Sequence, residues 1–304
     1  MDSGDRQSET DIRLTELGRL ADPLFRASRR VDTHTRVCSL RPVHRDRFDY
    51  DTFWTLLDRV RASHRLLRFA DVKNALPETP FALLRHDIDY SPAAALEMAV
   101  QETARGVRAS YFLLPNGPYY NVLDPRHAHV PARLVELGHE VGLHYDVNFL
   151  YGFAASRWQD LVQLQATLLE SLSGQPIVSI AMHQPGLHGA DPLRHRTDYL
   201  NAYDDRFFRD MCYISDSARA WRDDAWNLLV KGPLPPRVQL ALHPVNWGRA
   251  DRSRLAIFTG IHAALADDLH ALGAVLIDQI DRHAGVVEHE ASLERDRRVE
   301  QQKS

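Results

Sequence analysis

The chain alternates between short apolar runs of strand length and longer segments with helical periodicity, and this alternation limits the folds open to it. Apolar runs predict strands at residues 81–86, 109–114, 140–145, 177–182, 211–214, 238–242 and 274–277. Apolar side chains that recur every three or four residues predict helices at residues 50–61, 92–104, 131–137, 156–171 and 254–272. Strands that alternate with helices of this length indicate βαβ units and a parallel sheet.

The sequence contains no Gly-x-Gly-x-x-Gly or P-loop motif, so nothing in it indicates a nucleotide cofactor. This favours a barrel over a Rossmann-type sheet. In a barrel of parallel strands, chemistry collects at the carboxyl ends of the strands. The residues that follow each predicted strand are therefore the first candidates for function.

Composition is typical of a globular protein, with 44% hydrophobic and 26% charged residues. The net charge of -4 predicts no attraction to nucleic acid or to an anionic membrane. Nearly all of the 37 basic residues are arginines, a bias that we attribute to a GC-rich genome rather than to anion binding. Two cysteines exclude a disulfide framework, and residues 1–20 contain no apolar signal segment. A cytoplasmic protein without a membrane span is the expectation.

Three segments are predicted along the chain. Residues 1–47 are rich in Asp, Arg, Ser and Thr and predict a flexible N-terminal extension. Residues 48–285 contain the alternating elements and predict the catalytic barrel. Residues 286–304 predict a charged tail.

Two carboxylates follow the first long strand, in the sequence Arg-His-Asp-Ile-Asp at residues 85–89. Asp87 and Asp89 are two positions apart, so in extended backbone they point the same way, and His86 points the other way. Two adjacent carboxylates repel unless a cation or a shared proton lies between them. One can bind a metal while the other serves as a general base. This pair predicts an active site at the end of the strand, with His86 in a structural role.

The third long strand carries His139 and His144, in the sequence Gly-His-Glu-Val-Gly-Leu-His at residues 138–144. Their spacing of five excludes the His-Glu-x-x-His zinc motif, which places two imidazoles on one helical face four residues apart. On a strand this spacing puts the two rings on opposite faces. His144, at the strand end, is the candidate ligand, and His139 is expected to be structural. His183, Asp216 and His243 follow three further strands and complete the candidate set.

With these strand-end residues, the sequence resembles the NodB-homology polysaccharide deacetylases, also called carbohydrate esterase family four. Four segments match the family motifs specifically: residues 85–89, 138–144, 213–216 and 242–244. The resemblance as a whole covers the chain from about residue 81, or even residue 50, to about residue 281. It implies a deformed (β/α) barrel with about seven parallel strands. It also implies a divalent metal, zinc in the first place with cobalt or nickel as alternatives.

The resemblance also implies roles for individual residues. Asp87 would be the general base, and Asp89 and His144 would be metal ligands. His243 would be the general acid that protonates the leaving amine. Asp216 would pair with His243 and raise its pKa.

The sequence departs from the family pattern at the third metal ligand. Where the family has a second histidine, four residues after His144, this chain has Asn148, and the family's Arg-x-Pro-x-Gly motif is absent. We therefore predict that His183 supplies the third ligand. Asp146 is its rival, because it shares strand parity with His144 and is anionic.

Three functions remain open from the sequence. The first is metal-dependent removal of an acyl group from an N-acylated sugar or a related small molecule. The second is hydrolysis of another C–N bond, such as a cyclic amide or a formamide, with the loop at residues 186–210 selecting the substrate. The third is a carbohydrate-binding barrel without catalysis, which the Asn148 replacement suggests.

Overall fold

The computed structural model describes residues 47–189, 191–221, 225–230 and 232–301. Within these residues, eight parallel strands form one sheet. They are β1 (Arg65–Leu67), β2 (Phe81–Ile88), β3 (Ser110–Leu113), β4 (Glu140–Tyr145), β5 (Ser179–Met182), β6 (Leu200–Asn201), β7 (Cys212–Ser215) and β8 (Arg237–Leu242). Seven strands follow the order β6-β5-β4-β3-β2-β8-β7, and β1 pairs with the first residues of β2.

The sheet curls, so that its two edge strands approach each other across an aromatic cluster. Tyr203 follows β6 and Tyr213 lies in β7, and their ring centroids are 6.5 Å apart. Phe208 packs against both rings, at 5.4 Å and 5.0 Å. Among the described residues, β6 and β7 share no strand pairing. The architecture is therefore a parallel barrel that does not close, which confirms the predicted fold class.

Helices connect the strands and cover the outside of the barrel. They are α1 (Tyr50–Arg61), α2 (Pro92–Ala104), α3 (Val130–Glu136), α4 (Val147–Tyr151), α5 (Trp158–Ser173), α6 (Pro185–His188), α7 (Asp205–Phe208), α8 (Ala225–Val230) and α9 (Arg254–Gln301). Every residue of β2, β3, β4 and β5 is buried, as expected for strands covered on both faces.

Local capping explains why the predicted helices begin and end where they do. The Asp49 carboxylate accepts a hydrogen bond from the Thr52 amide at 2.8 Å and starts α1. Ser91 does the same for Ala94 at 3.2 Å, with proline in the first helical position of α2. Gly174 ends α5 in the left-handed conformation, with φ of 72°. The predictions of α1 and α2 are confirmed residue for residue.

The alternation of side chains in β2 separates the barrel interior from the helix layer. Arg85 and Asp87 point inward, and Arg85 donates a hydrogen bond to Gln239 of β8 at 3.1 Å. His86 points outward and bonds Glu102 of α2 at 2.8 Å. The interior of the barrel is thus polar along β2, while its outer face is fixed to a helix.

The prediction of a last strand at residues 274–277 is wrong. These residues lie inside α9, which continues past the predicted end at residue 272 to Gln301. The run Ala-Val-Leu-Ile has strand propensity, but no proline interrupts the helix between residues 254 and 301, so the helix continues. The strands β1 and β6 were missed because three and two residues are too short to show a pattern.

The long helix α9 is also apolar enough, by length and composition alone, to cross a membrane between Arg254 and Ala291. The sequence analysis predicted no such segment. The predicted flexible extension, apart from residue 47, falls outside the described residues. The predicted boundary at residue 285 lies within α9 and stays a prediction, as does the cytoplasmic location.

Candidate active site

Three potential metal ligands meet at the carboxyl ends of β2, β4 and β5. One ligand atom from each of Asp89, His144 and His183 lies within 4.8 Å of the other two. His144 Nε2 is 3.2 Å from Asp89 Oδ1, and His183 Nε2 is 3.8 Å from the same oxygen. The parallel sheet brings these residues together because the carboxyl ends of its strands share one edge.

The hydrogen bonds around His144 show what this cluster lacks. His144 Nδ1 donates to the carbonyl of Ala181 at 2.9 Å, so in the neutral ring the proton is on Nδ1 and Nε2, the atom near Asp89, is an acceptor. Asp89 Oδ1 is buried without a hydrogen-bond partner. Two acceptor atoms that face each other at this distance repel unless a cation lies between them. The set of two imidazoles and one carboxylate therefore fits a divalent metal of the zinc type.

Charge also favours the ionised form of Asp89. Burial acts to raise the pKa of this carboxyl, but the hydrogen-bonding distance to His144 and the positive charge of His243 outweigh burial and lower it. For His183, burial and the neighbouring His144 lower the pKa and favour the neutral imidazole. Metal binding needs an ionised carboxylate and neutral imidazoles. The shifts at Asp89 and His183 both favour that state.

Asp87 is held by an arginine that the sequence analysis set aside. Arg85 Nε and Nη2 donate to the two oxygens of Asp87 at 2.7 Å and 2.6 Å. The Arg85 side chain is fully buried, and Nη2 also donates to the Tyr203 hydroxyl at 2.9 Å. Burial acts to raise the pKa of Asp87, but Arg85 and His144 outweigh burial and lower it. Strand parity alone, with Arg85 two positions before Asp87, would have indicated this pair.

His243 and Asp216 form a buried pair at the ends of β8 and β7. His243 Nδ1 donates to Asp216 Oδ1 at 2.6 Å, and Trp247 Nε1 donates to the other carboxylate oxygen at 2.8 Å. Burial acts to lower the pKa of His243, but the Asp216 charge and hydrogen bond raise it to about 9. His243 Nε2 lies 3.7 Å from Asp89 Oδ2. Trp247 was not among the predicted residues, and no pattern in the sequence marks it.

The rivals for the third ligand are engaged elsewhere. Asp146 caps α4, and its Oδ1 accepts hydrogen bonds from the Asn148 amide at 2.9 Å and from Asn148 Nδ2 at 3.1 Å. Asn148 Nδ2 also lies 3.3 Å from His188 Nε2. The structure places His183 in the ligand cluster and does not place Asp146 there. The choice of His183 stays a prediction until metal binding is measured.

His86 and His139 lie on the opposite face of the strands, as strand parity predicts. His86 Nε2 donates to Glu102 at 2.8 Å, and the Tyr111 hydroxyl donates to the same carboxylate at 2.7 Å. His139 Nε2 donates to the carbonyl of Ala99 at 3.0 Å. Both histidines contact α2 and stay away from the metal-ligand cluster.

A cleft of about 250 Å³ lies beside the site. One wall is Tyr203, whose hydroxyl bonds Arg85, and Phe208 and Tyr213 complete an aromatic side. Residues of the connection between β5 and β6 supply the rest of the lining: Pro185, Gly186, Gly189, Asp191 and Arg194. The predicted substrate-selecting loop at residues 186–210 therefore borders the cleft. Gln184, next to His183, holds a left-handed φ of 49°, a strained conformation of the kind found near functional sites.

No protein-family model and no curated relative matches the sequence. Among solved structures, a CE4 family pseudoenzyme from Bacillus anthracis is similar, with 13% identity and a TM-score of 0.37, over 64% of this chain and 63% of that chain. The peptidoglycan deacetylase PdaC from Bacillus subtilis has 16% identity and a TM-score of 0.38, over 64% and 87%. A family 4 acetyl xylan esterase from Clostridium thermocellum, in complex with a cobalt ion, has 12% identity and a TM-score of 0.36, over 60% and 84%.

The chain thus spans less than two thirds of the length of that pseudoenzyme. All three TM-scores are below 0.5, so these similarities do not indicate the function of this chain.

Proposed function

We propose that the protein is a metal-dependent hydrolase that removes an acyl group from an N-acylated sugar or a related small molecule. The observation that carries this proposal is the group of Asp89, His144 and His183, in which a buried carboxylate oxygen faces two imidazoles without a hydrogen-bond donor. An ionised Asp87 and the His243–Asp216 pair lie directly beside the group. Ligands, a base and an acid at one strand edge are what amide hydrolysis requires.

Asp89, His144 and His183 would hold the metal, with zinc as the first candidate and cobalt or nickel as alternatives. Such an ion would supply Lewis acidity at the scissile carbonyl. Asp87 is the proposed base: one of its oxygens takes a proton from the attacking water. The Arg85 contact keeps Asp87 ionised and fixes the direction of its oxygens, since both accept from one planar guanidinium.

His243 is the proposed acid. With its pKa raised to about 9, the ring is an imidazolium at neutral pH and can donate a proton from Nε2 to the leaving nitrogen. Asp216 holds the ring by Nδ1 and thereby directs Nε2 toward the metal-ligand group. At neutral pH the base is deprotonated and the acid is protonated, as hydrolysis by one water molecule requires.

The decisive experiment combines metal analysis with a substrate panel. Purified protein loaded with zinc, cobalt or nickel is assayed for acetate release from N-acetylhexosamine compounds. We expect one bound ion per chain and turnover that Asp87→Asn lowers by about 10²–10⁴-fold while the ion stays bound. Asp58→Asn, an exposed carboxylate on α1, is the matched control and should be without effect.

Other outcomes separate the remaining functions. If the protein turns over only cyclic amides or formamides, its substrate is another C–N compound and not an N-acylated sugar. A bound ion without turnover on any amide or ester would favour a binding protein. If the chain binds no divalent ion, or if Asp87→Asn retains full activity, the proposed mechanism is wrong.

A further inference from the structure

Among the described residues, helix α9 packs on the barrel through its first turns, as far as Asp268. Ile257 is buried, and the Phe258 ring packs against Tyr90 at a centroid distance of 4.9 Å. His262 stacks on Tyr119 at 6.1 Å, and Asp268 forms an ion pair with Arg126. From residue 269 onward, no described side chain of the helix is buried. The second half of the helix therefore leaves the surface of its own chain.

This free half carries an apolar stripe. Seven large apolar side chains between residues 269 and 286 are each more than half exposed: Leu269, Leu272, Val275, Leu276, Ile277, Ile280 and Val286. At 100° per residue, they fall within about 200° of the helix circumference, and the opposite side carries Ala274, Asp278 and Asp281. We call these seven residues the α9 stripe.

The exposed area of the α9 stripe is too large for a surface that faces water. At about 80–100 Å² for each side chain, the stripe presents roughly 600 Å², the upper limit for apolar patches on monomers. A stable protein interface buries about 800 Å² on each partner, so the stripe supplies most of that area. Helices in proteins are stabilised mainly by packing of an apolar face, which this half of α9 lacks within its own chain.

The positions of the acidic residues argue for a protein partner rather than a lipid bilayer. Asp267 and Asp268 precede the apolar segment, and Asp278 and Asp281 follow its main part. The nine residues between Asp268 and Asp278 span about 14 Å, less than half of a hydrocarbon core of about 30 Å. A transmembrane position would bury at least one pair of these carboxylates in the hydrocarbon region.

We propose that the α9 stripe is the contact between two copies of this chain. The charges along the helix fit a twofold, antiparallel pair. Asp268 pairs with Arg126 and Arg282 with Asp278 within one chain, and each lies seven residues from Val275. Helices that cross at Val275 therefore add Arg282 of one copy beside Asp268 of the other. A parallel pair would instead bring each aspartate against the same aspartate of its partner. This proposal is independent of the catalytic function proposed above.

The test measures the mass of the full chain in solution by light scattering and sedimentation, over two orders of magnitude in concentration. We expect twice the chain mass of 34.7 kDa for the wild type. The double variant Leu272→Glu/Leu276→Glu should be a monomer, because two carboxylates enter the apolar contact. Ala274→Glu, on the opposite side of the helix, is the matched control and should remain a dimer. These side chains are exposed, so the variants should fold like the wild type, as thermal unfolding of the barrel would show.

Three outcomes would overturn the proposal. The first is a wild type that is a monomer at all concentrations. The second is equal dissociation by Ala274→Glu and the double variant, which would place the contact elsewhere. The third is a monomer that sediments with vesicles of phosphatidylcholine and phosphatidylglycerol and loses this binding in the double variant, which would assign the stripe to a lipid surface.

Discussion

Two groups of buried histidines and carboxylates lie on opposite faces of the same strands. The rim cluster, on the inner face, contains Asp89, His144 and His183. The outer network contains His86, Glu102, Tyr111 and His139. Both groups have the residue types of a metal or catalytic site, and in both no side chain is more than about a tenth exposed. Residue type and burial therefore do not distinguish a functional group from a structural one.

The hydrogen bonds do distinguish them. In the outer network, both oxygens of Glu102 accept hydrogen bonds, from His86 Nε2 at 2.8 Å and from the Tyr111 hydroxyl at 2.7 Å. In the rim cluster, Asp89 Oδ1 has no hydrogen-bond partner and lies 3.2 Å from His144 Nε2. A carboxylate with all its partners holds the fold together, whereas one without a partner is available for a ligand.

The largest expected difference between the two groups appears when the carboxylate of each is replaced by the corresponding amide. Asp89→Asn should abolish stable metal binding and lower kcat/KM by more than about 10³-fold, because a metal ion supplies several kcal/mol of transition-state stabilisation. Glu102→Gln replaces one carboxyl oxygen of the outer network by an amide nitrogen and should leave metal content and kcat/KM near the wild-type values. Elemental analysis and steady-state kinetics check both variants. Equal losses in the two would erase the distinction between the groups.

Stability should respond in the opposite order. Glu102→Ala leaves His86 and Tyr111 without their partner and should lower the free energy of unfolding by about 3–5 kcal/mol. Asp89→Asn in the presence of EDTA should not lower stability, because the new amide can donate to His144 Nε2. Denaturant unfolding of the metal-free proteins measures both effects. A larger loss of stability at Asp89 than at Glu102 would contradict this assignment.

The His243–Asp216 pair predicts a pH dependence of stability in the metal-free protein. The pKa of His243 is raised from 6.5 in the unfolded chain to about 9 in the folded one. The protonated pair therefore contributes its full stabilisation, up to about 3 kcal/mol, below pH 6.5 and loses it as the pH rises through about 9. Asp216→Asn should remove this pH-dependent part. Unfolding free energies in EDTA across this window test it, and an unchanged pH dependence in the variant would refute it.

The sequence was sufficient for features that are set locally. The strand Glu140–Tyr145 and the helix Tyr50–Arg61 were predicted with their observed bounds. The helix is marked by apolar side chains that recur at helical spacing on one face. The opposite directions of Asp87 and His86 followed from strand parity. The course of the chain after residue 272 was not predictable in this way, because an apolar run of four residues suits a strand and a helix equally.

Contacts between distant strands could not be read from the chain. The sequence analysis gave Arg85 no role of its own, although its strand parity directs it at Asp87, because one arginine among many does not reveal its contact in the sequence. His183 and Asp146 both follow strand ends. Only the paired positions of β2, β4 and β5 show that His183 lies near Asp89.

The smallest expected effect concerns that choice of ligand. Asp146→Ala removes the cap of α4, whose carboxylate accepts from the Asn148 amide, and should cost about 1 kcal/mol of stability with metal affinity unchanged. His183→Ala should weaken metal binding strongly, because it removes one of three ligands from a closed group. Titration of the metal-free variants with zinc compares them directly. If Asp146→Ala weakens binding and His183→Ala does not, the third ligand comes from the end of β4, and the rim cluster must rearrange on binding.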